Sequence, residues 1–351
     1  AGLTTVSEVT IQATLRAVRR EVVPPEDAAL DFSVIAMGRF GGGELGFGSD
    51  ADVLYVYEPN GVDPQRAHEL ALQLVAGIRT YSEDHRVPFD LDADLRPEGR
   101  NGPLVRSLDS YAEYYRRWSL SWEAQALLRA RGVAGSVKLI DRFIALADDV
   151  RYPVEVAVQD LREIKRIKAR VENERLPQGA DRARHLKLGP GGLSDVEWLV
   201  QLLQHAHAHR IPALRTTSTL DALEAAREAG LVPDAAAERL RDAWRLASRL
   251  RSVAAAEVLD GYAGRERVSI KWPNDVLICT ASGSWRKVGG ILCEAVAGAT
   301  PMVVIGIGLN VWQKEQELPS DAATSLFLNG VCVDRETLIV QILNELVEVE
   351  N

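Results

Sequence analysis

The sequence predicts an α+β protein in three parts: a small α/β or α+β domain, a helical bundle, and a second, partial α/β domain rich in strands. Three observations predict this class. Residues 32 to 95 run strand, glycine-rich turn, strand, helix, strand. From 106 to 258 apolar side chains recur at helix-face spacing. Near residue 262 the composition shifts to β-branched runs punctuated by glycine. The expected boundaries are 1–30 for an N-terminal helix and linker, 31–105 for the first domain, 106–258 for the bundle, 259–266 for a junction and 267–351 for the last domain.

Residues 5 to 23 open on Thr and Ser cap candidates and place Ile11, Leu15 and Val18 on one stripe, a short helix. The runs FSVIAM and ADVLYVY read as strands flanking the turn GRFGGGELGFGSD, followed by a helix over 64–82 and a third strand, FDLDADL. After 105, Tyr111, Tyr114, Tyr115, Trp118 and Trp122 share helix-face spacing, and their bulk assigns them to a core. The segment 162–175 sets Ile164, Ile167 and Val171 on one stripe with Lys165, Arg166, Lys168, Arg170 and Arg175 around it. This basic helix is either a solvated bundle face or a surface for nucleotide or a protein partner. Further helices are expected at 195–208 and across 217–256, then three strands in VSIKWPNDVLI, GGILCEA and PMVVIGIGLNV, and a closing helix at 335–348.

Composition narrows the classes of function. The chain has 351 residues, 46% hydrophobic and 26% charged, enough for large cores. A net charge of −9 argues against a nucleic acid partner held by a general basic surface. The three cysteines, Cys279, Cys293 and Cys332, show no C-x-x-C spacing, which points away from zinc and disulfides and toward a reducing cytoplasm. No apolar run reaches bilayer-spanning length, and the first residues lack the order of a signal peptide, so neither membrane nor secretion is expected.

The chemistry concentrates in GSDADVLYV. Asp50 and Asp52 stand two apart on a strand and project from one face. Two carboxylates on one face repel unless a cation lies between them, and a glycine-rich turn beside a second acidic strand favours a divalent metal over a solvated edge. Asp92 is the most plausible third carboxylate of a two-metal site.

The segments MGRFGGGELGFGSDADVLYV and DADLRPEGRNGPLVRSLDSYAEYYRRW, continuing through WEAQALLRARGVAG, REIKRIKARVENERLPQGADRARHLKLG and DVEWLVQLLQ, resemble the adenylyltransferase half of glutamine synthetase adenylyltransferase. The resemblance covers roughly residues 31–255. It implies a polymerase-β-like nucleotidyltransferase domain in which Asp50, Asp52 and Asp92 bind Mg²⁺ and carry catalysis, while Gly38, Gly48 and Ser49 shape the ATP pocket. The superfamily's Gly-Gly or Gly-Ser turn stands here as Gly38-Arg39, a cation where triphosphate sits. Arg96 and Arg100 are candidates for phosphate contact or for pairing with the acidic cluster. Beyond His185 and Lys187, Pro190 replaces an arginine of the related proteins, which removes a donor and stiffens the turn. Asp195 and Glu197 either approach the site or, for Asp195, cap a helix. The implied activity is transfer of AMP to a tyrosine of glutamine synthetase in the cytoplasm, with pyrophosphate released.

The last 85 or so residues resemble the biotin protein ligase catalytic domain through KWPNDVL, RKVGGILCE, VVIGIGLNV and LPSDAATSL. Carried over, Lys271 and Asn274 face the adenylate and Lys287 binds biotin. That family's Gly-Arg-rich adenylate loop has no counterpart upstream. The chain therefore reads as a junction of two truncated domains at about 256–267, its second sheet left with exposed edges. Two alternatives stand beside AMP transfer: biotin ligation through biotinyl-AMP, and a non-catalytic hybrid that binds nucleotide or partner only.

Overall fold

A computed structural model of the chain describes residues 2–45, 50–82, 90–174, 192–250, 259, 261–264, 267–271, 275–296, 302–320 and 322–348. It is a mixed α and β protein that divides into two compact units. One comprises residues 1–45, 49–170 and 198–237; the other comprises 46–48, 171–197 and 238–351.

The first unit is built on a five-stranded sheet. The strands are β1 (Asp31–Ala36), β2 (Ala51–Glu58), β3 (Leu91–Asp92), β4 (Val105–Ser107) and β5 (Arg131–Gly135). β1 lies between β2 and β5, antiparallel to both, while β3 and β4 run parallel to different stretches of β2. Both faces are covered, which is why β1 and β2 read as continuous apolar runs. On one face Phe32, Val34, Val53 and Tyr55 pack with Ile11, Leu15 and Val18 of α1 (Gly2–Val22) and with Leu70, Leu74 and Ile78 of α3 (Pro64–Ser82). A Cβ at Gly77 would overlap Val18, so glycine lets these two helices approach closely. On the other face Ile35, Leu54 and Val56 meet Tyr111 and Tyr115 of α4 (Leu108–Trp118) and Phe143 of α6 (Val137–Arg151). The Tyr111 and Phe143 rings meet edge to face, centroids 5.2 Å apart.

Several elements depart from the sequence expectation. The third strand shrinks to Leu91–Asp92, because the Asp92 Oδ1 atom accepts the Asp94 N–H at 2.7 Å and turns the chain. Trp118 is 68% exposed rather than core. The sheet takes its fifth strand, β5, from a region expected to be helical throughout. Short α5 (Ser121–Leu127) ends before it, and the Arg151 guanidinium caps that end by donating to the carbonyls of Leu127 (2.7 Å) and Ala130 (3.1 Å). The helices expected across 217–256 are α9 (Thr219–Glu228) and α10 (Asp234–Leu250), separated at Gly230 with φ +70°, and 251–256 lie outside the described residues. The remaining helices, α7 (Val158–Glu174) and α8 (Leu193–His207), follow the expected periodicity.

The second unit carries a four-stranded antiparallel meander of β6 (Val268–Lys271), β7 (Asp275–Cys279), β8 (Trp285–Val296) and β9 (Met302–Leu309), so the first of the three expected strands is a strand pair. Val276, Ile278 and Val288 pack with Leu326 and with Leu338 and Ile342 of α11 (Arg335–Glu348), giving this unit a core of its own. Among the described residues no helix is long and apolar enough to cross a membrane.

Candidate active site

The site begins where β1 runs out. The Met37 N–H donates to the Asp52 carbonyl at 2.8 Å, after which the chain enters the single helical turn α2 (Gly38–Gly41). Gly38 has φ +50°, and a Cβ there would overlap Asp52 Oδ2. The turn therefore lies directly against the Asp52 carboxylate, and only glycine permits both the backbone conformation and the approach. Arg39 folds back on the same turn, its Nε donating to the Glu44 carbonyl at 3.0 Å.

Asp52 and Asp92 are register partners across the parallel pair β2–β3, adjacent to the pair Ala51 and Leu91. Partners in a parallel pair project to the same face. Asp50 is exposed and precedes β2, two positions back along the chain. The structure thus sets Asp52 beside Asp92 with Asp50 next in the chain; among the described residues no three His, Cys, Asp or Glu side chains converge as a ready metal cage. Gly48, Ser49, Arg175, His185, Lys187 and Pro190 lie outside the described residues.

The chain after Asp92 is pinned into a fixed loop. Arg96 donates from Nε to the Gly102 carbonyl, from Nη1 to Ala93 and from Nη2 to Arg100, each at 2.9 Å, which ties its guanidinium to the loop backbone. Asp94 meets both arginines: Arg96 Nη1 lies 3.6 Å from its Oδ1 and Arg100 Nε lies 2.5 Å from its Oδ2. The Asp94 hydrogen bond and charge, with a smaller contribution from Asp92, raise the pKa of the exposed Arg100 guanidinium above its ordinary value. Of the two arginines, Arg100 is the one held at the surface beside the carboxylates.

Behind this loop, Glu98 adopts φ +66° and pairs with Arg106, whose guanidinium stacks over Tyr114 at 5.1 Å. Buried Glu123 collects the Tyr114 hydroxyl (2.8 Å) and the N–H groups of Leu120 (2.9 Å) and Glu98 (3.3 Å). Burial first, then the bond to Glu123, push the Tyr114 phenol up to about 12. Sequence reasoning missed Asp94, Glu98, Glu123 and the buried pair Glu44 and Arg129; the one signal for the pair was arginine, Arg129 and Arg131, inside the otherwise apolar LLRARGVAG.

In the second unit, a cleft of about 610 Å³ is lined by Lys287, Gly289, Gly290, Gly306, Gly308 and Asn310, among others. Lys287 forms an ion pair with Asp275. Lys271 is exposed and opposite Asp275 in the β6–β7 register, and Asn274 lies outside the described residues.

Comparison with known proteins finds three matching segments. Residues 1–145 match the sequence model of the family described as Glutamate-ammonia ligase adenylyltransferase, residues 165–254 match GlnD PII-uridylyltransferase, and residues 234–310 match the Biotin/lipoate A/B protein ligase family. Among curated relatives, the bifunctional glutamine synthetase adenylyltransferase/adenylyl-removing enzyme of Leifsonia xyli is 60% identical over 251 residues, 72% of this chain and 25% of the relative. The proteins of that name from Streptomyces coelicolor and Mycobacterium avium are 53% and 49% identical over 74% and 78% of this chain, and 26% and 29% of their own lengths. The chain thus spans between a quarter and a third of these relatives' length. By these matches its first 145 residues, which hold Asp50, Asp52 and Asp92, are similar to the glutamate-ammonia ligase adenylyltransferase family, and a separate segment at 234–310 is similar to the biotin/lipoate ligases.

Proposed function

We propose that this chain transfers AMP from ATP to a tyrosine of glutamine synthetase, using Asp50, Asp52 and Asp92 in a polymerase-β-like domain. The tyrosine oxygen attacks the α-phosphorus, the bond to the bridging oxygen of pyrophosphate breaks, and the phenolic proton is released to water. The observation that carries this reading is the parallel register setting Asp52 opposite Asp92 inside the segment that matches the adenylyltransferase model.

The residues present fit Mg²⁺. The donors are hard carboxylate oxygens, Gly38 leaves the space beside Asp52 Oδ2 clear of a side chain, and Mg²⁺ takes one or two carboxylates and completes its shell with water and phosphate. A cage of three protein ligands is therefore not required. When bound, the ion would neutralise charge building on the α-phosphoryl group and on pyrophosphate. Asp50, Asp52 and Asp92 would hold it, and Gly38 and Arg39 would bound the phosphate pocket. Arg100, 84% exposed and held at the surface by Asp94, would supply the cation to the polyphosphate, whereas Arg96 is 12% exposed and holds three carbonyls.

The test is transfer of label from α-labelled ATP to glutamine synthetase in the presence of Mg²⁺. Asp52→Asn and Asp92→Asn should each lower the rate roughly a hundred-fold or more with an unchanged melting temperature, because a ligand to developing charge is lost. Undiminished label with Asp52→Asn would sink the site. For the second unit, the match at 234–310 and the Lys287-lined cleft favour a separate acyl-adenylate reading with biotin as ligand. Absence of biotin-dependent pyrophosphate release would remove that reading, and release that survives Lys287→Ala would remove Lys287 from the site.

A further inference from the structure

The glycine-rich turn is held from behind by a buried charge that the chemistry above does not use. Arg129, 4% exposed, closes the short segment between α5 and β5. Its Nη1 lies 3.2 Å from Glu44 Oε2, in a pair whose side chains are 5% and 8% exposed. The same guanidinium donates to the Thr217 carbonyl and to the Thr219 hydroxyl. Glu44 in turn accepts the Thr219 N–H at 2.6 Å and its hydroxyl at 2.8 Å. One carboxylate, one guanidinium and the first residue of α9 thus close a ring of hydrogen bonds in which each charge is paired.

This ring grips the turn by shape as well as charge. A Cβ at Gly41 would overlap the Arg129 carbonyl, and one at Gly42 would overlap Arg129 Nη1. The Arg131 guanidinium adds bonds to the carbonyls of Gly41 (2.9 Å) and Phe40 (3.2 Å). At its other end the turn presses Gly38 on Asp52. Residues 38 to 44 are therefore clamped between the Asp52 carboxylate in front and Arg129 behind.

We propose that Arg129, with Glu44 and Thr219, is a positioning residue: it fixes the glycine-rich turn at the distance from Asp52 that nucleotide binding requires. Taking apart a buried pair leaves the remaining charge unpaired, so the turn would shift rather than tolerate the loss. A displacement of about 1 Å in a positioning element costs on the order of a hundred-fold in rate. The proposal rests on the nucleotidyl-transfer reading for its consequence, although not for the clamp itself.

The experiment compares Arg129→Lys, Thr219→Val and Thr219→Ser in the full chain, with two readouts. Hydrogen exchange of amides 38–44 reports the clamp without reference to any ligand. Titration with a fluorescent ATP analogue and Mg²⁺, with KM for ATP and kcat measured separately, reports its consequence. Thr219→Val and Arg129→Lys should speed exchange at 38–44 while β1 amides stay protected, weaken analogue binding and raise KM for ATP roughly ten-fold or more, whereas Thr219→Ser, which keeps the hydroxyl, should match the parent in both. Unchanged exchange in Arg129→Lys overturns the clamp, whether or not the chain binds nucleotide. Faster exchange with unchanged analogue binding and unchanged KM overturns the positioning role. Wild-type chain that binds no analogue refutes the nucleotidyl-transfer reading and with it the positioning role, while the exchange readout still decides the clamp.

Discussion

At residue 38 a side chain has no room, since φ is +50° and a Cβ would overlap Asp52 Oδ2, whereas at Gly43, with φ +74°, nothing lies within 4 Å of the same atom. The two positions separate backbone strain from displacement of the carboxylate. Ala at either residue meets a left-handed conformation that costs about 1–2 kcal/mol. Gly38→Ala must in addition push Asp52 aside, so AMP transfer should fall roughly a hundred-fold or more, while Gly43→Ala keeps its rate; steady-state assays on both variants, with melting curves, check the contrast. The pattern of glycines and the D-x-D were legible because each is local. Asp92 was legible from the second acidic strand, FDLDADL. Arg129 was not, because its meaning lies in Glu44, 85 positions away, and in a hydroxyl 90 positions away. A buried ion pair leaves no periodic trace in sequence.

At the scale of elements, the runs whose apolar pattern is complete over six or more residues, α1, β1, β2 and α3, were readable within one to three residues at each end. The short ones were not. β5 holds only RGVAG, with two glycines, and gains strand character from its neighbour rather than from propensity. Gly132 admits Ile140 against the strand, and Gly135, at φ +106°, would place a Cβ on the Phe32 carbonyl. The α5 helix stops because Arg151, beyond β5 in the chain, takes the carbonyls at its end. These are tertiary causes. They predict that Gly135→Val, which combines the left-handed conformation with a backbone overlap, destabilises the first unit by at least about 2 kcal/mol. Gly230→Ala, at φ +70° with nothing within 4 Å, should cost about 1 kcal/mol. Urea midpoints measure both, and exchange at Val34 and Ile35 locates the Gly135 effect on the β1–β5 pairing.

Among the described residues the apolar clusters lie on both faces of the first sheet and in the second unit, and stability against pH is set by groups that fold in one charge state. His205 in α8 is 4% exposed, with Nδ1 3.1 Å from the Arg151 carbonyl, so the neutral ring donates from Nδ1. Burial lowers its pKa from 6.5, opposed by that backbone bond and by the Asp160 carboxylate. Below pH 6.5 the unfolded chain takes up a proton that the folded chain refuses, so the stability contributed by neutral His205 is complete above that pH and is lost as pH falls toward the folded value. Once the unfolded ring is fully protonated and the folded one is not, the loss approaches its limit of about 1.4 kcal/mol per pH unit. His205→Gln should therefore flatten the decline in urea midpoint between pH 7 and 5 relative to the parent chain, even where its midpoint at pH 7.5 is lower. The measurement belongs to the first unit alone, since His205, Arg151 and Asp160 all lie within it. Parallel slopes in the two proteins would show that His205 takes up its proton equally in both states, and that the burial of this ring does not govern acid stability.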